Sequence, residues 1–434
     1  MVFFGVGVRF RMLTFLMVAL ASVAAAAILC SSPGEVAHIV IIPVFISYVV
    51  IFRPARLQGI SVRHVVYFFM LSGLVVVYLL AMAKVSSSLR VRWSELLLVI
   101  YFLASVHLFV WLIDHFINTV LSAVFRLRRG AVRPRRLYVP KTAIRLTLLI
   151  ALAAPYLTAT FMTHWVKFTD STDPEQVLAT GCQRVHFEGT DGLELVGWFI
   201  SAAGQGSDAT VILAPGRTQL RTASLAYARM LREGGYNVFL FDPRGEGLSA
   251  GHTCSFGVLG ARDVLGALRY LKQARPETSR YVFGFGISHG AGAVTAAAAM
   301  DNRIKAVVLD SAFAEHGSVL RKIASVLPRP VGGYFHNATL LLASAELGCN
   351  FFEAGTRHNI ARISPRPVML VHGLDDTTIS PQDRQQIYKA AGKPTTLWLV
   401  PAAGHGESLL CGWNEYRNRV RSLFESARRG AAPA

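Results

Sequence analysis

Acidic side chains are scarce in the first 168 residues: Glu35, Glu95 and Asp114 stand there against 17 Lys and Arg, while the remainder carries 27 basic and 23 acidic residues. A water-soluble surface is not built from so lopsided a segment. The formal charge of +18 is therefore concentrated in one part of the chain. No CxxC pair and no Cys/His spacing of a zinc site occurs, so neither a metal nor an organic cofactor is expected. The basic cluster Arg126, Arg128, Arg129, Arg133, Arg135, Arg136, Lys141 and Arg145 lacks aromatic interleaving and sits between apolar stretches. It reads as a cytoplasmic loop, and nucleic acid is not an expected partner. Internal repeats and low-complexity tracts are also missing, which excludes a solenoid.

The acid-poor segment is filled by five apolar stretches, at 12–30, 36–52, 64–83, 95–113 and 144–162. Each is close to the ~17–25 residues that cross a bilayer as a helix. The fourth continues through Asp114, His115 and Asn118 and reads as an amphipathic extension along the membrane surface. Residues 1–168 are thus expected to form an all-α transmembrane region of about five helices, with the bilayer as partner. Placing the basic clusters inside puts the C-terminal part on the extracytoplasmic face of an inner-membrane protein. A cleaved signal peptide in place of the first span leaves that side unchanged.

After a linker at 169–182, short β-branched or aromatic runs alternate with helix-length stretches, the pattern of a doubly wound α/β domain over 183–428. Eight strands are expected, at 184–187, 193–200, 210–213, 237–241, 280–285, 305–309, 367–371 and 396–400. The first two should form a hairpin about Gly189–Gly192. Helices are expected at 220–233, 258–273, 288–300, 382–391 and 413–426. An insertion at 314–364, with helical segments at 318–326 and 338–347, should overhang the C-terminal edge of the sheet as a lid or binding loop. Residues 429–434 read as a disordered tail.

Within this pattern YVFGFGISHGAGA, 281–293, runs from an apolar strand through GxSxG into an alanine-rich helix. That is the sequence form of a nucleophile elbow, a strained turn that exposes a serine hydroxyl. A serine alcohol is a weak nucleophile at neutral pH and needs a base oriented by a carboxylate. Two later strands supply candidates: Asp375 and Asp376 after the seventh, and His405, in the glycine-bracketed AAGHGES loop, after the eighth. The order serine, acid, histidine is the one such a fold requires.

Together, LAPGRT, GYNVFLFDPRGEGLSAG, GFGISHGAG, VVLDSAFA, VMLVHGLDDTTIS and AAGHGES resemble the serine-hydrolase branch of the α/β-hydrolase superfamily, near the serine aminopeptidase (S33) and Bem46-like groups. The resemblance implies an eight-stranded, mostly parallel sheet with a helical cap insertion, and the triad Ser288, Asp376 and His405. The family's acid lies four residues after the loop histidine, which from His372 selects Asp376 over Asp375. It also implies oxyanion donors at the backbone N–H groups of Arg217 and His289. Pro215 departs from the family's usual histidine, and His289 and Ala291 from its usual residues after the serine. The His289 side chain is expected to pack and not to act as a second acid or base. The DPRGEGLS segment is read as a structural turn.

The expected activity is cleavage of an ester, thioester or amide through an acyl-enzyme, on an acyl-containing, lipid-like or envelope-associated substrate. An acyltransferase with the same triad, and a membrane sensor or transport-associated protein carrying a hydrolase-like domain, are the alternatives. Cys182, Cys254, Cys349 and Cys411 would allow three disulfide pairings in an oxidising compartment, and the pairing is left open.

Overall fold

The structure, a computed structural model, describes residues 89–91, 154–164, 168–170 and 181–430 apart from 205, 218–223, 255–256 and 353–354, with a few isolated positions upstream. The expected spans at 12–30, 36–52, 64–83 and 95–113, and most of the linker at 169–182, lie outside the described residues. Of the fifth span, residues 154–162 are helical. Among the described residues no helix is long and apolar enough to cross a membrane. The four soluble-part cysteines form no disulfide with one another.

These residues fall into two compact units, one joining 154–162 to 329–346 and the other containing 163–328 and the chain from 347 on. The second is built on an eight-stranded sheet. Its strands are β1 (Cys182–Glu188), β2 (Glu194–Ile200), β3 (Ala209–Ala214), β4 (Asn237–Phe241), β5 (Tyr281–Ile287), β6 (Ile304–Asp310), β7 (Val368–Gly373) and β8 (Thr395–Val400). They lie in the order 1-2-4-3-5-6-7-8. β1 pairs antiparallel with β2, and β2 with β4; every other pairing is parallel.

The strand sequences account for this order. ATVILA in β3 and NVFLF in β4 are buried at every position, because an interior strand covered on both faces has no side to turn to water. In β1 only Cys182, Val185 and Phe187 are buried, as suits an edge strand. Alternate residues feed two cores. Val211, Leu213, Phe283 and Phe285 meet α1 (Leu225–Glu233) and α9 (Trp413–Arg429) on one face. Ile212, Ala214 and Val282 meet α2 (Gly260–Ala274) and α3 (His289–Met300) on the other. α3 lies so close to β5 that a Cβ on Gly284 would come within 2.6 Å of Val294 Cγ1.

The insertion between β6 and β7 carries α4 (Gly317–Ala324), α5 (Arg329–Leu347) and the single turn α6 (Thr356–Asn359). α5 starts nine residues before the expected 338. Pro330 falls in its first turn, where a missing N–H has no helical partner to lose, and Gly332–Gly333 do not interrupt it. α5 also leaves the sheet-based unit: residues 329–346 cluster with 154–162. Tyr334 donates to the Ala151 carbonyl at 2.9 Å, and Thr160 to the buried Glu346 carboxylate at 2.9 Å. The last three elements are α7 (Pro381–Ala390), α8 (Ser408–Cys411) and α9. α9 runs past the expected 426 to Arg429 and stops where Gly430 takes the left-handed conformation (φ 68°).

Candidate active site

β3 connects through α1 to β4 on one side, and the chain then crosses to β5 on the other side of β3. The loops after β3 and β5 therefore diverge at a topological switch point, where open α/β sheets form their binding crevices. Ser288 stands there, between β5 and α3, with φ 49° and ψ −107°, a costly conformation for a residue with a Cβ. The two flanking glycines are steric necessities. A Cβ on Gly286 would lie 2.5 Å from the Ala291 Cα, and one on Gly290 would lie 2.1 Å from the Ala214 carbonyl oxygen.

The structure brings the expected residues together. His405 Nε2 is 2.9 Å from Ser288 Oγ, and His405 Nδ1 is 2.8 Å from Asp376 Oδ2. The His405 side chain is 25% exposed and that of Asp376 1%, so the histidine is partly open to solvent and the carboxylate backs it. The other oxygen of Asp376 accepts the amides of Thr378 and Ile379, each at 2.8 Å. Burial works to raise the Asp376 carboxyl. Hydrogen bonds from His405 and the Ile379 amide, with the His405 and His372 rings nearby, outweigh it and hold the group below the usual carboxylate range. Asp375 is exposed and its amide binds the Ala403 carbonyl. Buried His372 has Nε2 3.4 Å from the same Asp376 oxygen, and burial holds its ring below the usual imidazole range against the pull of that carboxylate.

Arg217 follows Gly216 in the loop after β3 and is half-buried, and the His289 ring is buried at the start of α3. Burial first, then the charges of His316 and Arg217, keep that ring well below the usual imidazole range.

Sequence reasoning missed Asp310, at the end of β6. Its buried carboxylate accepts Ser311 Oγ at 2.9 Å, Tyr416 Oη at 2.9 Å, Tyr227 Oη at 3.1 Å and Ser408 Oγ at 3.2 Å. The Tyr227 hydroxyl also lies 3.1 Å from the Gly406 carbonyl, and the Gly406 amide donates to Ser311 Oγ at 3.0 Å. The loop that carries His405 is thus tied to this carboxylate from several sides. VVLDSAFA was the available signal, but nothing in it foretold donors from four separate segments.

DPRGEGLS forms the structural turn expected of it. Arg244, 7% exposed, binds Asp263 through Nε at 2.9 Å and Asp191 through its terminal nitrogens at 2.9 and 3.1 Å. This joins the β1–β2 turn, the loop after β4 and α2.

An eight-stranded sheet of this order, with a serine in a strained turn after β5 and a histidine loop after β8, is the architecture of the α/β-hydrolases. Residues 205–345 match the family described as serine aminopeptidase, S33. The uncharacterized protein YfhR of Escherichia coli O157:H7 is 32% identical over 229 residues, which cover 51% of this chain and 73% of that protein. Rv2307c of Mycobacterium tuberculosis is 28% identical over 238 residues, covering 55% of this chain and 77% of that protein. Among solved structures, an esterase of Pyrococcus furiosus aligns with a TM-score of 0.49 at 23% identity, over 58% of this chain and 94% of that one. The chain belongs to the α/β-hydrolase superfamily, in the family it shares with YfhR, and it is a hydrolase.

Proposed function

We propose that the chain is a membrane-anchored serine hydrolase that cleaves an ester through a Ser288–His405–Asp376 triad and an acyl-enzyme. The observation that carries this reading is the pair of contacts on His405, 2.9 Å to Ser288 Oγ and 2.8 Å to Asp376. In that geometry Nε2 takes the hydroxyl proton as Oγ bonds to the acyl carbon, while Asp376 fixes the ring by accepting from Nδ1. The carbonyl oxygen becomes an alkoxide that receives the amides of Arg217 and His289. As it collapses, the bond to the leaving group breaks and His405 returns the proton to that group. Water then repeats the sequence and frees the acid and Ser288.

An apolar acyl substrate near a bilayer is supported by two features. The first 168 residues carry the five apolar stretches, and Val319, Ile323, Val326 and Leu327 stay exposed on and just after α4. An extracytoplasmic position follows from the distribution of basic residues between those stretches.

The test is labelling of the full chain with a fluorophosphonate, followed by hydrolysis of acyl esters of graded chain length. The parent should label and Ser288→Ala should not. A folded parent that fails to label rejects the reading, and transfer of the acyl group to an added alcohol in preference to water turns it into an acyltransferase. A reporter active only in the cytoplasm, fused after Thr169, should stay silent.

A further inference from the structure

Three buried side chains that the triad does not use converge beside the elbow. Glu246 belongs to the turn after β4, Cys254 follows it in the same connection, and His289 opens α3. Their exposures are 8%, 4% and 7%. One ligand atom from each lies within 4.8 Å of the others, and Cys254 Sγ is 3.9 Å from Glu246 Oε1. In tetrahedral zinc, ligand atoms about 2.0–2.3 Å from the metal are roughly 3.3–3.8 Å apart. The Cys254–Glu246 separation is already close to that spacing, and a His289 ring nitrogen lies within 4.8 Å of both groups.

We propose that Glu246, Cys254 and His289 form a buried site for a zinc-class divalent cation, held by one carboxylate oxygen, one thiolate and one imidazole nitrogen.

The donor set fits the ion. A thiolate, an imidazole and a carboxylate suit a borderline-soft cation, and three protein ligands leave a fourth position for water. A carboxylate and a thiolate together neutralise a divalent charge, so the occupied site adds no net charge to the interior. On binding, Cys254 releases its proton to solvent while Glu246 and the neutral His289 ring donate lone pairs; no oxidation state changes. Burial already favours the neutral form of that ring.

The backbone holds these ligands in place. The Glu246 amide donates to the Pro243 carbonyl at 3.0 Å, and the Gly245 amide to the Ala250 carbonyl at 2.9 Å. The Cys254 amide donates to the Thr163 carbonyl at 2.7 Å, and Thr253 bridges to His164. His289 is fixed by the elbow and also lines a small pocket together with Pro215, Gly257 and Asp263. An ion here would tie the turn after β4 to the residue that follows the nucleophile. The ligands sit at 246, 254 and 289, spacings no short motif contains.

The experiment strips the purified full chain with a chelator and titrates it with Zn²⁺ and, separately, Co²⁺. The expected result is one zinc per chain by elemental analysis, a rise in Tm with zinc, and a thiolate-to-cobalt charge-transfer absorption. Cys254→Ser should lose that absorption, and Glu246→Gln should weaken zinc binding at least about 10-fold. His405→Ala should keep the zinc, because the triad histidine is not a ligand. If Cys254→Ser does not unfold cooperatively, Glu246→Gln decides alone. A parent that binds no zinc, a variant set that binds as tightly as the parent, or loss of the ion in His405→Ala overturns the proposal.

Discussion

The amide of Ser288 donates to the carbonyl oxygen of Asp310 at 2.7 Å, so the residue whose carboxylate braces the His405 loop also fastens the backbone of Ser288. β6 therefore holds Ser288 and the His405 loop in one frame. Asp310→Asn replaces one acceptor oxygen with a donor that must face hydroxyl groups. Acting through position and not through substrate contact, it should lower kcat about 10- to 100-fold with little change in KM. Steady-state kinetics on an ester decide this, and an equal rise in KM would argue against a positioning role. Tyr416→Phe, which removes one donor, should show a smaller loss of the same kind.

The adjacent carboxylates Asp375 and Asp376 should separate cleanly. Asp376→Asn is expected to cut kcat by about 10,000-fold, the order associated with neutralising a triad acid. Asp375→Asn, at an exposed position, should change stability by no more than about 0.5 kcal/mol. Rates of fluorophosphonate labelling and thermal unfolding of both variants give the comparison, and a reversed pattern would reassign the acid.

Gly290→Ala places a methyl where the Ala214 carbonyl oxygen already stands, 2.1 Å away, and 2.6 Å from that of Pro215. Backbone must yield, so a loss of about 1–3 kcal/mol is expected. The displaced segment leads directly to Arg217, so labelling should slow as well. Urea unfolding and labelling rate measure the two effects on one variant.

Removing the charge of Arg244 leaves Asp263 buried without its main partner. Arg244→Met should cost about 3–5 kcal/mol, and Arg244→Met combined with Asp263→Leu should recover much of that loss. Chemical denaturation of the two variants tests it. A double variant no more stable than the single one would locate the effect in packing.

Stability against pH carries the sign of His372. An unfolded histidine takes up a proton near pH 6.5, whereas burial holds the folded ring below its usual range. Over the interval between, the unfolded chain binds more protons, so stability falls as pH drops below about 6.5 and through the lower folded value. Asp376 acts in a more acidic window: its contribution is present above about pH 3.9 and is lost as pH falls through its depressed folded value. Tm measured from pH 7 down should therefore fall less steeply in His372→Asn than in the parent, and parallel curves would exclude the assignment.

The strands were legible because a parallel sheet covered on both faces writes its burial into runs such as VMLV and VFLF, bounded by turn residues. Ser288, Asp376 and His405 were legible because the fold sets each just past the end of a strand. The Asp310 network was not, since its hydroxyls come from positions 227, 311, 408 and 416, which only the folded chain assembles. Arg244 with Asp191 and Asp263 is hidden in the same way. The start of α5 was obscured by Pro330 and Gly332–Gly333, which read as helix breakers although the first is harmless in an opening turn.

α5 buries Thr339, Leu340, Ala343 and Glu346 and clusters with 154–162, apart from the sheet-based unit into whose sequence it is inserted. A protein shortened to begin at Thr163 would keep every strand of the eight-stranded sheet, with Ser288, Asp376 and His405. It would still remove the Thr160 hydroxyl from Glu346 and the Ala151 carbonyl from Tyr334, and expose an apolar helix face in the middle of the remaining chain. The helix inserted between β6 and β7 thus takes its partners from the segment that precedes the sheet-based unit.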